Sequence, residues 1–159
     1  MTDNWLAQLP ADTAQHARRL LDTLSQLGCQ DPDGWVRSEV TENIPQAARY
    51  RFLHTLWPRM IDAWQTGIDN IPAAQRALQA GADHDDLARL ARVVAYETVF
   101  GLLYHLDDDD PDELANALPG WRLVETDSDG TPTGRTVEGL YESLLSLDPS
   151  GRDGSDFDT

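Results

Sequence analysis

Lysine is absent from this chain of 159 residues, and all 12 of its basic residues are arginine. Aspartate and glutamate together number 28, which gives a formal net charge of −16. A surface this negative repels the phosphate backbone of nucleic acids, so direct nucleic-acid binding is not expected. The same charge keeps a protein soluble and favours basic partners. The missing lysine is consistent with a GC-rich genome or with a salt-rich cytoplasm.

Cysteine and long apolar runs are also scarce. Cys29 stands alone, so the sequence offers no pair for an internal disulfide. The first residues lack the positive and apolar segments that signal peptides carry. The longest apolar run, residues 93–106, is too short for a bilayer span and contains Glu97. These features predict a cytoplasmic, prokaryotic protein that does not enter a membrane.

Familiar catalytic motifs are missing as well. The chain has no phosphate-binding P-loop, no G-x-G-x-x-G segment and no G-x-S-x-G nucleophile elbow. Its four histidines are scattered singly, without His-x-x-x-His or Glu-x-x-His spacing. The motifs therefore indicate no enzyme class, and no cofactor is expected.

Apolar residues repeat at helical spacing along most of the chain, which predicts a mainly α fold. We expect a multi-helix bundle in a single domain, residues 1–149, around a central buried helix at about 84–106. An Asp-Gly pair between β-branched residues predicts a small β-hairpin near 121–135. The last segment, 150–159, is polar and acidic, and is expected to be a flexible tail.

Two local signals in the middle of the chain predict where a helix begins and where it is interrupted. Asn43, followed by Pro45, predicts the start of a helix. Pro58 removes a backbone N–H further along, so a kink or tight break is expected there. If the two pieces stay nearly collinear, six apolar residues form one stripe packed on the core: Leu53, Trp57, Met60, Ile61, Trp64 and Ile68.

The first candidate site is centred on Glu97, in the middle of the apolar run. Gly101 and Tyr104 follow at four and seven residues, so the three share one helix face. A carboxylate buried in a helix must be paired, neutralised or functional. A functional Glu97 would serve as a general acid or base, or as a metal ligand. A structural Glu97 would pair with one of the three arginines in residues 49–59.

The second candidate site is the acidic cluster that follows this helix. Asp107, Asp108 and Asp109, together with His105, form a candidate metal site, since hard divalent cations prefer several carboxylate oxygens. The simpler interpretation is a solvated loop between two helices, in which Asp110 caps the second helix.

Tryptophan is plentiful, with five residues. Trp57 and Trp64 have the spacing of one helix face and are expected in the core. Trp5 and Trp35 lie in polar surroundings, which makes them candidates for a contact surface.

Two functional hypotheses remain open. The leading one is a non-enzymatic, acidic binding or regulatory protein, whose partner is another protein or a second copy of the chain. A narrower form is an inhibitor that covers a basic, nucleic-acid-binding surface. The alternative is a divalent-metal-dependent helical hydrolase that uses Glu97 and the cluster Asp107–Asp110.

Overall fold

The structure is a computed structural model that describes residues 5–107, 119–152, 154, 155 and 157. Helices make up most of these residues, and two short strands form a small antiparallel sheet. The predicted mainly α fold with a small hairpin is therefore confirmed.

The elements follow one another along the described chain with short connections. The α-helices are α1 (Ala11–Gln26), α2 (Pro32–Glu42), α3 (Gln46–Leu56), α4 (Trp64–Gly67), α5 (Pro72–Gln79), α6 (His84–Asp107) and α7 (Leu140–Leu144). The two strands are β1 (Val124–Thr126) and β2 (Pro132–Thr136). Short 3₁₀ segments cover Trp5–Gln8, Ile68–Asn70 and Leu145–Leu147. None of the helices in the described residues combines the length and the apolar character that crossing a bilayer requires.

The chain divides into two compact units. The first consists of Met1–Tyr50 and Val124–Val137, and the second of Arg51–Leu123 and Glu138–Thr159. The hairpin thus belongs to the same unit as α1 and α2, while α6 belongs with α4, α5 and α7. The expected single domain over residues 1–149 stays a prediction.

The hairpin of the first unit turns at the predicted Asp-Gly pair. One carboxylate oxygen of Asp127 accepts hydrogen bonds from the backbone N–H groups of Asp129 and Thr131, each at 2.9 Å. Gly130 has a φ of +83°, a left-handed conformation that glycine adopts without steric cost. Local residues alone therefore specify this turn.

Asn43 ends α2 and does not start α3, which corrects the predicted helix start. Its φ of 57° and ψ of 32° are left-handed, a conformation that asparagine adopts more readily than most other residues. Pro45 then disfavours a helical conformation at Ile44, so α3 begins at Gln46. An asparagine near a proline is thus a signal for a helix end as well as for a helix start.

In the second unit, Pro58 lies in a π-helical turn, Trp57–Ile61, that directly follows α3. The backbone N–H of Asp62 donates a hydrogen bond to the carbonyl of Trp57 at 2.9 Å and closes this turn. A wider turn accommodates the missing N–H of a proline without ending the helical path. The expected break is therefore a local widening.

This widening divides the predicted core-facing stripe into two faces. Met60 is 55% exposed and Trp64 is 37% exposed. The other four members are buried: Leu53, Trp57, Ile61 and Ile68. A regular helix repeats every 3.6 residues, whereas the π turn takes more residues, so the core-facing positions after Trp57 become Ile61 and Ile68 instead of Met60 and Trp64.

The buried guanidinium of Arg92 on α6 links three parts of the second unit. Its Nε donates to Asp62 Oδ1 at 3.0 Å, and its Nη2 donates to Asp148 Oδ1 at 3.1 Å. The guanidinium carbon lies 5.3 Å from the ring centroid of Trp57 and 5.0 Å from that of Phe157. The side chain of Arg92 is 4% exposed and that of Asp148 is fully buried, so the Asp148 carboxylate depends on Arg92 for neutralisation.

Phe157, in the segment expected to be a flexible tail, contacts aromatic residues of the second unit. Its ring centroid lies 4.9 Å from that of Tyr96, which in turn stacks on Trp57 at 6.0 Å. Phe157 is half-buried in this arrangement. The flexibility of the tail as a whole stays a prediction, but this residue has a defined packing site.

We expect Arg92→Met to lower the free energy of unfolding by about 3 kcal/mol or more, because it leaves Asp148 buried without its cation. Arg122→Met is the matched control, since Arg122 pairs with Glu138 at 3.3 Å on the surface. Exposed pairs of this kind contribute about 0–1 kcal/mol. Urea unfolding near neutral pH measures both variants, and equal losses would contradict the structural role of Arg92.

We expect Phe157→Ala to lower the free energy of unfolding by about 1 kcal/mol, because it removes the ring contacts with Tyr96 and Arg92. Ser155→Ala changes an exposed residue of the same segment and should stay within about 0.5 kcal/mol of the parent. Scanning calorimetry compares the two. An unchanged melting temperature for Phe157→Ala would favour a tail that is flexible throughout.

Candidate functional site

Glu97 lies on the outer side of α6 and is exposed, as are Gly101 and Tyr104. This corrects the expectation that the core encloses the Glu97 carboxylate. The apolar run around it is covered on one side, and the buried residues of α6 are Arg92, Val99 and Leu103. A functional role for Glu97 stays a prediction, but that role would be played at the surface.

The first unit contains a carboxylate that is buried, that of Glu39, which is 5% exposed. Its Oε1 accepts a hydrogen bond from Nη1 of Arg135 at 2.6 Å, and its Oε2 accepts one from the N–H of Ala47 at 2.8 Å. Arg135 also donates to both carboxylate oxygens of Glu125. Burial lowers the pKa of Arg135, but its hydrogen bonds to Glu125 and Glu39 outweigh this and raise the pKa. The two carboxylates share the guanidinium of Arg135, so ion pairing accounts for the burial of Glu39.

The acidic cluster after α6 is only partly within the described residues, since the aspartates at 108–110 lie outside them. The Oδ2 atom of Asp107 accepts a hydrogen bond from the N–H of Gly139 at 2.7 Å. The ring of His105 lies 5.2 Å from the Trp121 ring. In the part of the chain that the structure describes, no group of three or more His, Cys, Asp or Glu residues is placed to hold a metal ion.

Trp57 is buried as predicted, but the placement of Trp5 and Trp64 differs from the prediction. Trp5, a candidate for a contact surface, is 8% exposed, and its Nε1 donates to Asp33 at 2.7 Å. Trp35 is half-buried and meets Tyr50 edge to face, with 5.5 Å between the ring centroids. Trp64, expected in the core, is exposed instead. The exposed tryptophans, Trp64 and Trp121, belong to the second unit.

Trp64 lines an open groove of about 390 Å³ in this unit. Met60, Trp64 and Ile71 form one wall. The other wall is a face of α6 formed by Ala91, Val94, Ala95, Thr98 and Val99. The Thr98 hydroxyl donates to the Val94 carbonyl at 2.7 Å, so its one O–H donor is used within the helix. The groove thus presents an apolar lining to its occupant.

The groove continues into an exposed apolar stripe along α6. Leu90 is 60% exposed and Val94 is 56% exposed. With 3.6 residues per turn, Leu90, Val94, Thr98 and Gly101 lie on one helix face. A Cβ placed on Gly101 would meet nothing within 4 Å, so the space in front of this face is open. Continuous exposed apolar surface of this kind marks interaction sites.

Comparison with known proteins identifies no relative of this chain. The sequence matches no protein family, and it matches no curated protein and no solved structure at a significant level. The functional argument therefore depends on the groove and on the charges around it.

The two glutamates give a direct test of the corrected site. We expect Glu97→Gln to change the free energy of unfolding by less than about 0.5 kcal/mol, because Glu97 is exposed. Glu39→Gln makes the same chemical change at the buried position and should cost about 1.5–3 kcal/mol, because it removes a buried, charge-assisted partner of Arg135 while Glu125 still pairs with that guanidinium. Chemical unfolding measures both variants. A large loss of stability for Glu97→Gln would indicate that its carboxylate is buried and would contradict the corrected site.

Proposed function

We propose that this protein is a non-enzymatic, acidic binding module, and that the apolar groove on its second unit receives a protein partner. The observation that carries the proposal is the exposure of large apolar side chains around one continuous groove. Met60, Trp64 and Val94 are 55%, 37% and 56% exposed. An apolar patch of this kind is unfavourable in water unless a partner covers it.

The identity of the side chains supports a protein partner. Tryptophan is enriched at the centres of protein interfaces, and methionine adapts its shape to the surface it meets. The groove is also continuous with Leu90 and Gly101 on α6, so the apolar surface extends beyond the volume of the groove itself. An extended surface suits a folded segment of a partner better than it suits a compact small molecule.

The net charge of −16 supports a protein partner over a nucleic acid or an anionic membrane. A strongly negative protein repels nucleic acid and anionic lipid surfaces, so the partner is neither of these. The proposal includes a cytoplasmic location for the encounter.

Selection of helical peptides against the full chain tests the proposal. We expect a displayed library with apolar residues at i, i+3, i+4 and i+7 to yield binders that occupy the groove. Val94→Asp places a charge in the apolar wall and should weaken these binders at least about tenfold, because burying that carboxylate costs more than 1.4 kcal/mol.

Val124→Asp is the matched control, since it introduces the same charge at an exposed valine of β1 in the first unit. Its binding should stay within about twofold of the parent, well below the tenfold that corresponds to 1.4 kcal/mol. A library that yields no binder, or binders that tolerate Val94→Asp, would contradict the proposed function.

A further inference from the structure

We propose that the occupant of the groove is a basic amphipathic helix, whose apolar face enters the groove while its lysine or arginine residues meet Asp86 and Glu97 of α6. This inference rests on the proposed function and specifies the chemistry of the partner. It also gives Glu97, the carboxylate that the sequence singles out, a role in pairing with a basic residue of the partner.

Asp86 and Glu97 lie on the same flank of the apolar stripe. Each residue of an α-helix advances about 100°, so both carboxylates are rotated by roughly 60–80° to the same side of Val94. They are eleven residues apart, which corresponds to about 16 Å along the helix axis. Both residues are exposed. One edge of the apolar stripe therefore carries two exposed carboxylates, which lie about three turns apart along α6.

Small residues in the groove wall and in the stripe suit a helix laid along α6. Ala91 and Ala95 are half-buried in the groove wall, and Gly101 follows on the exposed face. Short side chains let two helices approach closely, since the distance between helix axes depends on the residues at the contact. A partner helix that presents apolar residues at i, i+3, i+4 and i+7 would place them in the groove.

The charges select a basic partner over a second copy of the chain. Two copies would each carry a net charge of −16 over the whole chain and repel one another. A basic helix is instead attracted over a distance and oriented by the two carboxylates. Arg59 precedes Met60 in the opposite wall and is exposed, so the charge preference belongs to the α6 flank and not to the whole rim.

Two blocked synthetic peptides of about 18 residues, or about five helical turns, provide the probe. They share the same leucine positions on one face, and the flanking positions are lysine in one peptide and glutamate in the other. By titration calorimetry with the full chain, the lysine peptide should bind at least about tenfold more tightly. Its affinity should also fall as salt is added, because screening weakens exposed charge pairs.

Paired variants then locate the charge effect. Asp86→Asn with Glu97→Gln should weaken the lysine peptide about fivefold, the size expected for two exposed ion pairs. Asp22→Asn with Glu42→Gln is the matched control, since it removes the same two charges from exposed positions of the first unit. That control should leave the affinity nearly unchanged.

Several results would overturn the inference. Equal affinity for the two peptides would show that the groove has no preference for a basic partner. Equal losses of affinity in the two double variants would show that the preference comes from the net charge of the chain and not from Asp86 and Glu97. A dimer of the chain that Val94→Asp dissociates would identify a second copy as the occupant. If neither peptide binds although library-selected peptides do, this inference fails and the proposed function stands. If the library also yields no binder, both fail.

Discussion

The missing backbone N–H of Pro58 is the constraint on which the candidate site depends. A regular helix there would lose a hydrogen bond and bring the proline ring against the preceding turn. The π turn Trp57–Ile61 gives the ring more room by widening the path, although the missing donor stays missing. Trp57 remains in the core, whereas Met60 and Trp64 rotate outward and become a wall of the groove. One absent donor thus converts part of a predicted core stripe into exposed surface.

The fold was predictable to the extent that short-range signals specify it. The mainly α character follows from apolar residues at helical spacing, and the hairpin follows from its Asp-Gly turn. The start of α6 is equally local, since Asp83 accepts hydrogen bonds from the N–H groups of Asp85 and Asp86 at 2.8 and 3.1 Å. Such signals involve residues within a few positions of one another, which a single sequence displays directly.

The candidate site was less predictable, because it depends on which helix faces are covered. The apolar run around Glu97 indicates burial, yet apolar composition alone does not say how many sides of a helix meet other elements. In the first unit the buried carboxylate belongs to Glu39, and its cation, Arg135, lies 96 residues further along the chain. No periodicity connects two residues at that separation. Trp57 and Trp64 likewise differ in burial because of a turn that a regular repeat does not represent.

The excess of acidic residues and the exposed apolar groove are compatible, because charge repulsion opposes self-association through the groove. An apolar surface on a neutral protein promotes association with further copies, whereas copies that carry −16 repel one another. Under the proposed function, this repulsion opposes association of copies through the groove. Under the proposed function, apolar contact supplies most of the affinity and charge selects among partners. The long apolar helix α6 then has two roles, since Arg92 holds one side in the core while Leu90 and Val94 remain on the other side.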